Sequence, residues 1–183
     1  MSPFFVVLTC VIIVLFYVIS IYNRLVRLKN QAEEGWSGIS VQLKRRYDLI
    51  PNLVNCVKGY ASHEQATLEK VIEKRNQAMS AHAPAEKATA ENEFTQTIKS
   101  LFALSESYPD LKANTTFIEL QQSLNTVEDD LQNARRYYNA TVRNLNTAVD
   151  TFPSNIIAAK YGFEKREFFD IDEAEKQNVK VSF

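Results

Sequence analysis

The hydrophobic pattern of this chain begins with an unbroken apolar run from Phe4 to Ile21, interrupted only by the small polar side chains of Thr9 and Ser20. As a helix this run is roughly 27 Å long, close to the ~30 Å thickness of bilayer hydrocarbon. A cleaved signal peptide is the alternative, but residues 1–3 carry no charged side chain and residues 22–24 form no small-residue cleavage site. The pattern therefore predicts a short tip at residues 1–3 and an uncleaved transmembrane helix at residues 4–22.

Apolar positions continue beyond the run with no stop signal, in steps of three and four residues. This spacing is typical of a helix that buries one seam. The predicted seam comprises Leu25, Leu28, Ala32, Gly35, Ile39, Leu43, Tyr47, Ile50, Val54 and Val57. We expect one continuous helix from the membrane segment to a position near Gly59.

Three further helices follow from the same spacing. Ser62 and Gln65 match a capping box and predict that the second helix begins at Ser62. The third is expected from about Ala85 to Ser107, and Pro109 is expected to start the fourth, which Pro153 closes. The inward positions of the fourth are Phe117, Leu120, Leu124, Val127, Leu131, Ala134, Tyr138, Thr141, Leu145, Ala148 and Phe152.

Helices of this length with short connections predict an all-α fold. It is an N-terminal transmembrane helix continuous with a long antiparallel up-down four-helix bundle of two long and two short helices. The bundle should occupy residues 23–169, with an aromatic stretch after Pro153 packed back on it. The acidic end, residues 170–183, is predicted to be mobile.

Charge and cysteine content narrow the class of protein. The net charge is −1, which gives no basic excess for nucleic acid, so we expect no nucleic-acid partner. Arg24, Arg27 and Lys29 follow the apolar run and no charge precedes it, which predicts the N-terminus outside and the bundle in the cytoplasm. Cys10 and Cys56 are too far apart on one helix to pair, as suits a reducing compartment.

No residue pattern indicates catalysis. Neither His63 nor His82 has the spacing of a helical metal ligand pair, and there is no glycine-rich phosphate loop. Cys56 lies on an apolar face, where a cysteine is more often a small core residue than a nucleophile. We therefore expect no enzyme activity, no cofactor and no metal site.

Two segments are candidates for protein–protein interaction. Gly35 and Gly38 flank Trp36 inside a helix, where each glycine costs about 1 kcal/mol relative to alanine. Close approach of another helix, in the bundle or from a second subunit, would offset that cost, with Trp36 as an anchor.

The second candidate segment is basic and contains a helix-interior proline. It comprises Arg45, Arg46, Pro51 and Asn52. Pro51 removes a helical hydrogen bond to Tyr47, and Asn52 and Asn55 are expected to satisfy the freed groups. A packing kink and a partner-binding patch both remain open here.

The order of motifs along the chain resembles the LemA family. The resemblance rests on residues 22–26 (YNRLV), 36–39 (WSGI), 41–46 (VQLKRR), 49–54 (LIPNLV), 108–111 (YPDL), 134–139 (ARRYYN) and 152–155 (FPSN). It implies a bacterial membrane protein with one N-terminal transmembrane helix and a helical bundle, in the inner membrane, with no catalytic residues to transfer. This chain has Gly35 where typical members have alanine.

Two hypotheses follow. One is a membrane-anchored scaffold or adaptor that holds a membrane-protein partner or assembles with itself. The alternative is an accessory subunit of a membrane-associated enzyme or proteolytic quality-control system. A weaker idea is that a partner recognises the last three residues, Val181 to Phe183, by strand addition.

Overall fold

The fold is described by a computed structural model that covers residues 3–169. It contains α1 (Pro3–Lys58), α2 (Gln65–Ser80), α3 (Pro84–Ser105), α4 (Pro109–Lys112), α5 (Thr115–Asp150) and α6 (Ser154–Tyr161). Within residues 3–169 there is no strand, so the all-α prediction is confirmed for that part of the chain. The predicted mobile end at residues 170–183 and the proposed recognition of Val181–Phe183 lie outside the described residues.

The first helix is continuous, as the unbroken apolar spacing predicted. It runs from Pro3 to Lys58 and ends one residue before Gly59. Every predicted seam position is buried except Leu28, which is partly buried. The large apolar side chains from Phe4 to Phe16 are exposed instead, and α1 is the described helix that is long and apolar enough to cross a membrane.

The predicted start of the second helix at Ser62 is wrong. α2 begins at Gln65, and Glu64, which precedes it, makes no side-chain capping bond. The intervening residues form turns instead, in which the Ala61 N–H donates to the Val57 carbonyl at 2.8 Å and the Glu64 N–H to the Ala61 carbonyl at 3.2 Å. Ser62 therefore lies in a turn, three residues before α2 begins, and does not cap that helix.

The fourth predicted stretch is two helices. α4 is a single turn that starts at Pro109, and α5 starts afresh at Thr115. Asn114 separates them, because its Oδ1 accepts the Phe117 N–H at 3.0 Å and so caps α5. α5 ends at Asp150, and Phe152, predicted to be inward, is 75% exposed.

The chain groups into two compact units, and α1 and α5 contribute to both. Unit 1 comprises the residues up to Ser37 and Arg136–Glu167; unit 2 comprises Gly38–Arg135 with Phe168 and Phe169. The predicted division between residues 22 and 23, which marks the end of the transmembrane segment, stays a prediction.

Unit 1 is built where α6 returns to α1 and α5. Leu25 of α1, Ala148 of α5 and Ile157 and Ala158 of α6 form its buried cluster. Beyond α6, the extended chain is held to α5 by Asn146, whose side chain accepts the Arg166 N–H at 2.8 Å and donates to the Arg166 carbonyl at 2.9 Å. In unit 1 the aromatic stretch after Pro153 thus packs back through Ile157, while Ile156 and Tyr161 are exposed and Phe163 is partly buried.

Unit 2 has a core formed by α1, α2, α3 and α5. Its fully or almost fully buried side chains include Ile39, Leu43, Ile50, Leu53, Val71, Phe94, Leu101, Phe117 and Leu124. Phe169 is also buried, with the Arg135 guanidinium 5.1 Å from the centre of its ring. Phe169 therefore packs into the core of unit 2.

Candidate interaction surface

Three of the sequence-predicted interaction residues share one exposed face of α1 in unit 2. Gly38, Arg45 and Asn52 are seven residues apart, and Val41, Asp48 and Asn55 fall between and after them at steps of three and four. All six are exposed, and we call them the α1 stripe. Because α1 turns by about 100° per residue, the α1 stripe lies on a different side of the helix from the buried seam.

The two charged members of the α1 stripe, Arg45 and Asp48, form surface ion pairs. The Arg45 Nη1 donates to Asp130 Oδ2 of α5 at 3.2 Å and to Gln42 Oε1 at 3.0 Å. Asp48 accepts from the Lys44 Nζ at 2.9 Å. Such exposed pairs stabilise a fold by less than about 1 kcal/mol, so their side chains can exchange partners. Val41, 54% exposed, is the large apolar side chain of the α1 stripe.

The two helical glycines have different surroundings. A Cβ atom at Gly35 would lie 3.1 Å from the Tyr138 Cα and 3.4 Å from the Thr141 Oγ1, so α5 approaches closely there within unit 1. A Cβ at Gly38 would meet no atom of the described chain within 4 Å. The predicted close helix approach is confirmed for Gly35 and is wrong as an intramolecular explanation for Gly38.

Trp36 belongs to unit 1 and is partly buried there. Its ring centroid is 5.4 Å from that of Tyr138, at an interplanar angle of 54°. Tyr138 is itself fixed, because its hydroxyl donates to the Glu167 carbonyl at 2.9 Å. Trp36 therefore serves as a packing contact between α1 and α5 beside Gly35.

Arg46, a predicted interaction candidate in the basic segment, lies inside unit 2 with none of its surface exposed. Its Nη1 donates to Glu91 Oε2 at 2.6 Å and its Nη2 to Thr95 Oγ1 at 2.8 Å, both on α3. On the α5 side, the Nε is 2.6 Å from Glu128 Oε1, an ion pair without hydrogen-bond alignment. One guanidinium therefore connects α1, α3 and α5.

Two groups beside Arg46, the Tyr47 phenol and the Glu128 carboxyl, have raised pKa values. Tyr47 donates a short hydrogen bond from its hydroxyl to Glu91 Oε1, and burial, followed by the Glu91 charge, raises the pKa of the Tyr47 phenol. Burial also raises the pKa of Glu128, although the Arg46 charge opposes it. The Arg46 guanidinium lies 4.9 Å from the centre of the Phe94 ring, which satisfies its remaining face. We call Arg46, Glu91 and Glu128 the charged lock, because their ion pairs join α1, α3 and α5 within unit 2.

Pro51 is accommodated inside α1 by a side chain from α2. Proline has no N–H, so the Tyr47 carbonyl four residues earlier lacks its helical donor. The Arg75 Nε donates to that carbonyl at 2.8 Å. Asn52 and Asn55, predicted to satisfy the freed groups, are exposed, and Asn52 stays available at the surface as a member of the α1 stripe.

A groove of about 570 Å³ adjoins the end of the α1 stripe. α1 contributes Val54, Asn55 and Lys58 to its lining, and α2 contributes Leu68 and Ile72 among others. Asn55 belongs to both the α1 stripe and the groove, so the two features form one continuous surface of unit 2.

The side chains considered for chemistry are dispersed. Among the described residues, no three His, Cys, Asp or Glu side chains are grouped as a metal site would require. His63 and His82 are exposed. Cys56 is half-buried, with its thiol 3.8 Å from the Asn114 Oδ1, and burial raises the pKa of the Cys56 thiol.

Sequence reasoning missed Val41, Glu91, Glu128 and Arg75. The polar partners lie at least 28 residues from the α1 groups that they meet, as the Arg75–Tyr47 separation shows, and no local spacing indicates such pairs. A signal for Arg46 did exist, because it lies three residues after the seam position Leu43 and so faces inward.

Comparisons with known proteins agree with the motif order. The sequence model of the LemA family matches residues 35–183. Protein LemA of Metamycoplasma hominis is 27% identical over 98% of this chain and 83% of its own length. Magnetosome protein MamQ of Magnetospirillum gryphiswaldense is 25% identical over 81% of this chain, and magnetosome protein MamQ 2 of Paramagnetospirillum magneticum is 24% identical over the same share. The matches to the two magnetosome proteins span 64% of the length of each.

Proposed function

The chain belongs to the LemA family, and we propose that it is a membrane-anchored helical scaffold that binds other proteins, including further copies of itself, through the α1 stripe. The observation that carries the proposal is Gly38. A helix-interior glycine costs about 1 kcal/mol relative to alanine, and no described neighbour of Gly38 offsets that cost. A partner helix that approaches closely at this point would offset it.

The composition of the α1 stripe suits a partner with a mixed surface. Val41 supplies an apolar contact next to Gly38, and Arg45, Asp48 and Asn52 follow it along the α1 stripe with both signs of charge and an amide. The groove lined by Val54 and Leu68 extends the same surface toward α2. A surface that combines apolar contacts with charged and amide side chains is typical of non-obligate protein interfaces.

The architecture that we propose for the scaffold is an up-down four-helix bundle that continues from the membrane segment. Contacts within each unit support it. In unit 1, Leu25 packs with Ala148 and Gly35 lies beside Tyr138. In unit 2, Arg45 pairs with Asp130, and the Cys56 thiol lies beside Asn114 at the start of α5. Position numbers on α5 fall as those on α1 rise, so α1 and α5 are antiparallel partners in both units.

Photo-crosslinking in native membranes tests the proposed interaction. A photoreactive amino acid at Val41 should give adducts with a partner or a second copy of the chain. The matched control is the same amino acid at Lys99, which is exposed on α3 of unit 2 and is not a member of the α1 stripe. Equal labelling at both positions would contradict the proposal.

A substitution at Gly38 gives a second readout. Gly38→Leu should reduce the Val41 adducts while leaving the fold at least as stable, because leucine is a better helix former and has open space. Lys99→Leu should leave the adducts unchanged. Adducts that contain a membrane protease or another enzyme would favour the accessory-subunit alternative over a general scaffold.

We also propose that the N-terminus lies outside the bacterial inner membrane and the helical body in the cytoplasm. The basic residues Arg24, Arg27 and Lys29 on the body side of the apolar run support this orientation. Cys56 is a poor reporter because it is half-buried and its pKa is raised. A better reporter is Ser62→Cys, at an exposed turn, in a chain with Cys10→Ser and Cys56→Ser. Reaction with an impermeant maleimide in intact cells would overturn the proposal, and reaction only after permeabilisation would support it.

A further inference from the structure

We propose that α6 and the adjoining Phe152 form an interfacial membrane-contact surface, which lies in the headgroup region of the same bilayer that the apolar segment of α1 crosses. The inference rests on the proposed membrane anchoring and adds a second lipid contact to it. All of the residues that carry it belong to unit 1.

The position of α6 along α1 is fixed by packing. Ile157 and Ala158 of α6 are buried in one cluster with Leu25, and Val18 and Ile21 of the apolar run pack against this cluster. Ile21 is the last residue of that run. α6 therefore lies level with the end of the apolar run, where hydrocarbon gives way to headgroups.

Aromatic contacts reinforce the same position. The Tyr22 ring packs edge-on against Tyr161, with centroids 5.0 Å apart, and against Phe163, with centroids 5.7 Å apart. Tyr22 directly follows the apolar run, and tyrosine side chains are enriched at the boundary between membrane and water. A second tyrosine and a phenylalanine are thus held at the depth that suits them.

The outward side of α6 is apolar. Phe152 is 75% exposed, Ile156 57% and Tyr161 51%. Ala159 is also exposed and lies one helical turn from Ile156, so the two share a face. Three large exposed side chains within ten residues would be an unusual apolar patch for a water-facing surface and suit the interface of a bilayer.

The charges near α6 complement an anionic membrane surface. Arg24, Arg27 and Lys29 are exposed on α1 just after the apolar run, and Lys160 is exposed on α6. The long stem of lysine lets its ammonium group reach the headgroups while the apolar side chains beside it enter the hydrocarbon boundary. Two acidic side chains lie nearby: Asp150 of α5 is paired with Lys165 at 3.2 Å, and Glu164 after α6 shares a groove with Lys29 and Arg166. This basic surround favours the bilayer over a second copy of the chain, which would bring like charges together.

Depth-dependent fluorescence quenching tests the proposal on the full chain in vesicles of phosphatidylcholine and phosphatidylglycerol. The chain has one tryptophan, Trp36, so Trp36→Phe gives a silent background into which single tryptophans are placed. Ile156→Trp reports on α6, Val14→Trp reports on the anchor, and Tyr137→Trp is the matched exposed control on α5. Tyr137 is 49% exposed and is 11 residues, roughly 16 Å of helix, from the buried Ala148 beside α6.

Lipids brominated near the headgroup should quench Ile156→Trp and leave Tyr137→Trp unquenched. Lipids brominated deep in the acyl chain should quench Val14→Trp more than Ile156→Trp. If Val14→Trp is quenched and Ile156→Trp resembles Tyr137→Trp, the interfacial role of α6 is overturned while anchoring stands. If Val14→Trp is not quenched, the anchoring itself fails. A blue-shifted but unquenched Ile156→Trp would indicate a protein partner on this face and would also overturn the proposal.

Discussion

The contact between Arg75 and the carbonyl freed by Pro51 allows a quantitative test of how α1 tolerates its internal proline. Arg75→Met removes the guanidinium that donates to the Tyr47 carbonyl at 2.8 Å but keeps most of the aliphatic stem. A buried carbonyl left without a partner costs about 1–3 kcal/mol. Arg75 is only partly buried, so water can replace some of the bond, and we expect a loss in the free energy of unfolding of about 1–2 kcal/mol.

The same substitution should cost less when proline is absent. In a Pro51→Ala background, the new N–H can donate to the Tyr47 carbonyl, so Arg75 is no longer its only donor. We therefore expect a coupling energy between the two positions of about 1 kcal/mol. The hydrogen bond from Arg75 to Asn76 Oδ1 at 3.2 Å is lost in both backgrounds and cancels from the cycle.

The assay is guanidinium unfolding of the full chain in detergent micelles, followed by far-ultraviolet circular dichroism for the four proteins of the cycle. Asn52→Ala and Asn55→Ala serve as controls, because the sequence suggested these side chains for the same carbonyl. Their coupling to Pro51→Ala should be within about 0.5 kcal/mol of zero. If Arg75→Met costs the same with and without Pro51, the reasoning from the hydrogen bond is refuted.

Three further predictions concern the charged lock and the helical glycines. Glu91→Ala should destabilise unit 2 by about 3–5 kcal/mol in the same assay. Glu91→Gln should cost clearly less, because its amide oxygen can still accept one of the two hydrogen bonds. Equal losses would contradict a contribution from that retained hydrogen bond and would assign the whole effect to the charge. Because burial raises the pKa of Glu128, its contribution is fully present below the ordinary glutamate value of 4.5 and is lost as pH rises through the raised value. The stability difference between wild type and Glu128→Gln should therefore change as the pH rises above the ordinary glutamate pKa, and a flat difference would rule this out. Gly35→Leu should lower the free energy of unfolding by about 1–3 kcal/mol, because the added Cβ lies 3.1 Å from the Tyr138 Cα and overpacks the contact. Gly38→Leu should not lower it, because the added side chain has open space. Similar losses at both positions would contradict this distinction.

The helices could be predicted because each long one buries a single regular seam. On α1 the apolar steps of three and four from Leu25 to Val57 identify buried positions, with Leu28 only partly buried. The same holds on α5 from Phe117 to Ala148, with Leu120 and Ala134 partly buried. Periodicity succeeds here because helical geometry alone decides which side chains face inward.

The boundaries between helices depended on polar side chains whose role is set by the local backbone. Ser62 and Asn114 are both good capping residues by composition. Asn114 caps α5 because its Oδ1 reaches the Phe117 N–H, whereas Ser62 lies in turns that continue from the end of α1. The sequence contains both residue types, but only the path of the preceding chain distinguishes them.

Arg45 and Arg46 show how far the candidate surface can be predicted from the sequence. A turn of about 100° separates adjacent residues on a helix, so two neighbouring arginines face different environments. Arg45 pairs with Asp130 at the surface, and Arg46 is enclosed by Glu91 and Glu128. The register of the seam assigns these directions, but the acidic partners lie on α3 and α5, far away in sequence.

Gly35 and Gly38 differ in what surrounds them, and this difference bears on function. One turn apart on the same helix, they present the same signal in the sequence, namely a cost in helix propensity that something must offset. The chain's own α5 offsets it at Gly35, since an added Cβ would lie only 3.1 Å from the Tyr138 Cα. At Gly38 the added Cβ meets nothing of the described chain, so folding gives no reason to keep a glycine there. A residue whose cost is unexplained by its own fold is where selection for an external contact would be expected, and Gly38 begins the exposed heptad that contains Arg45 and Asn52. The fold thus distinguishes Gly35 from Gly38, which the sequence alone could not do. It directs the search for a partner to the α1 stripe rather than to Trp36.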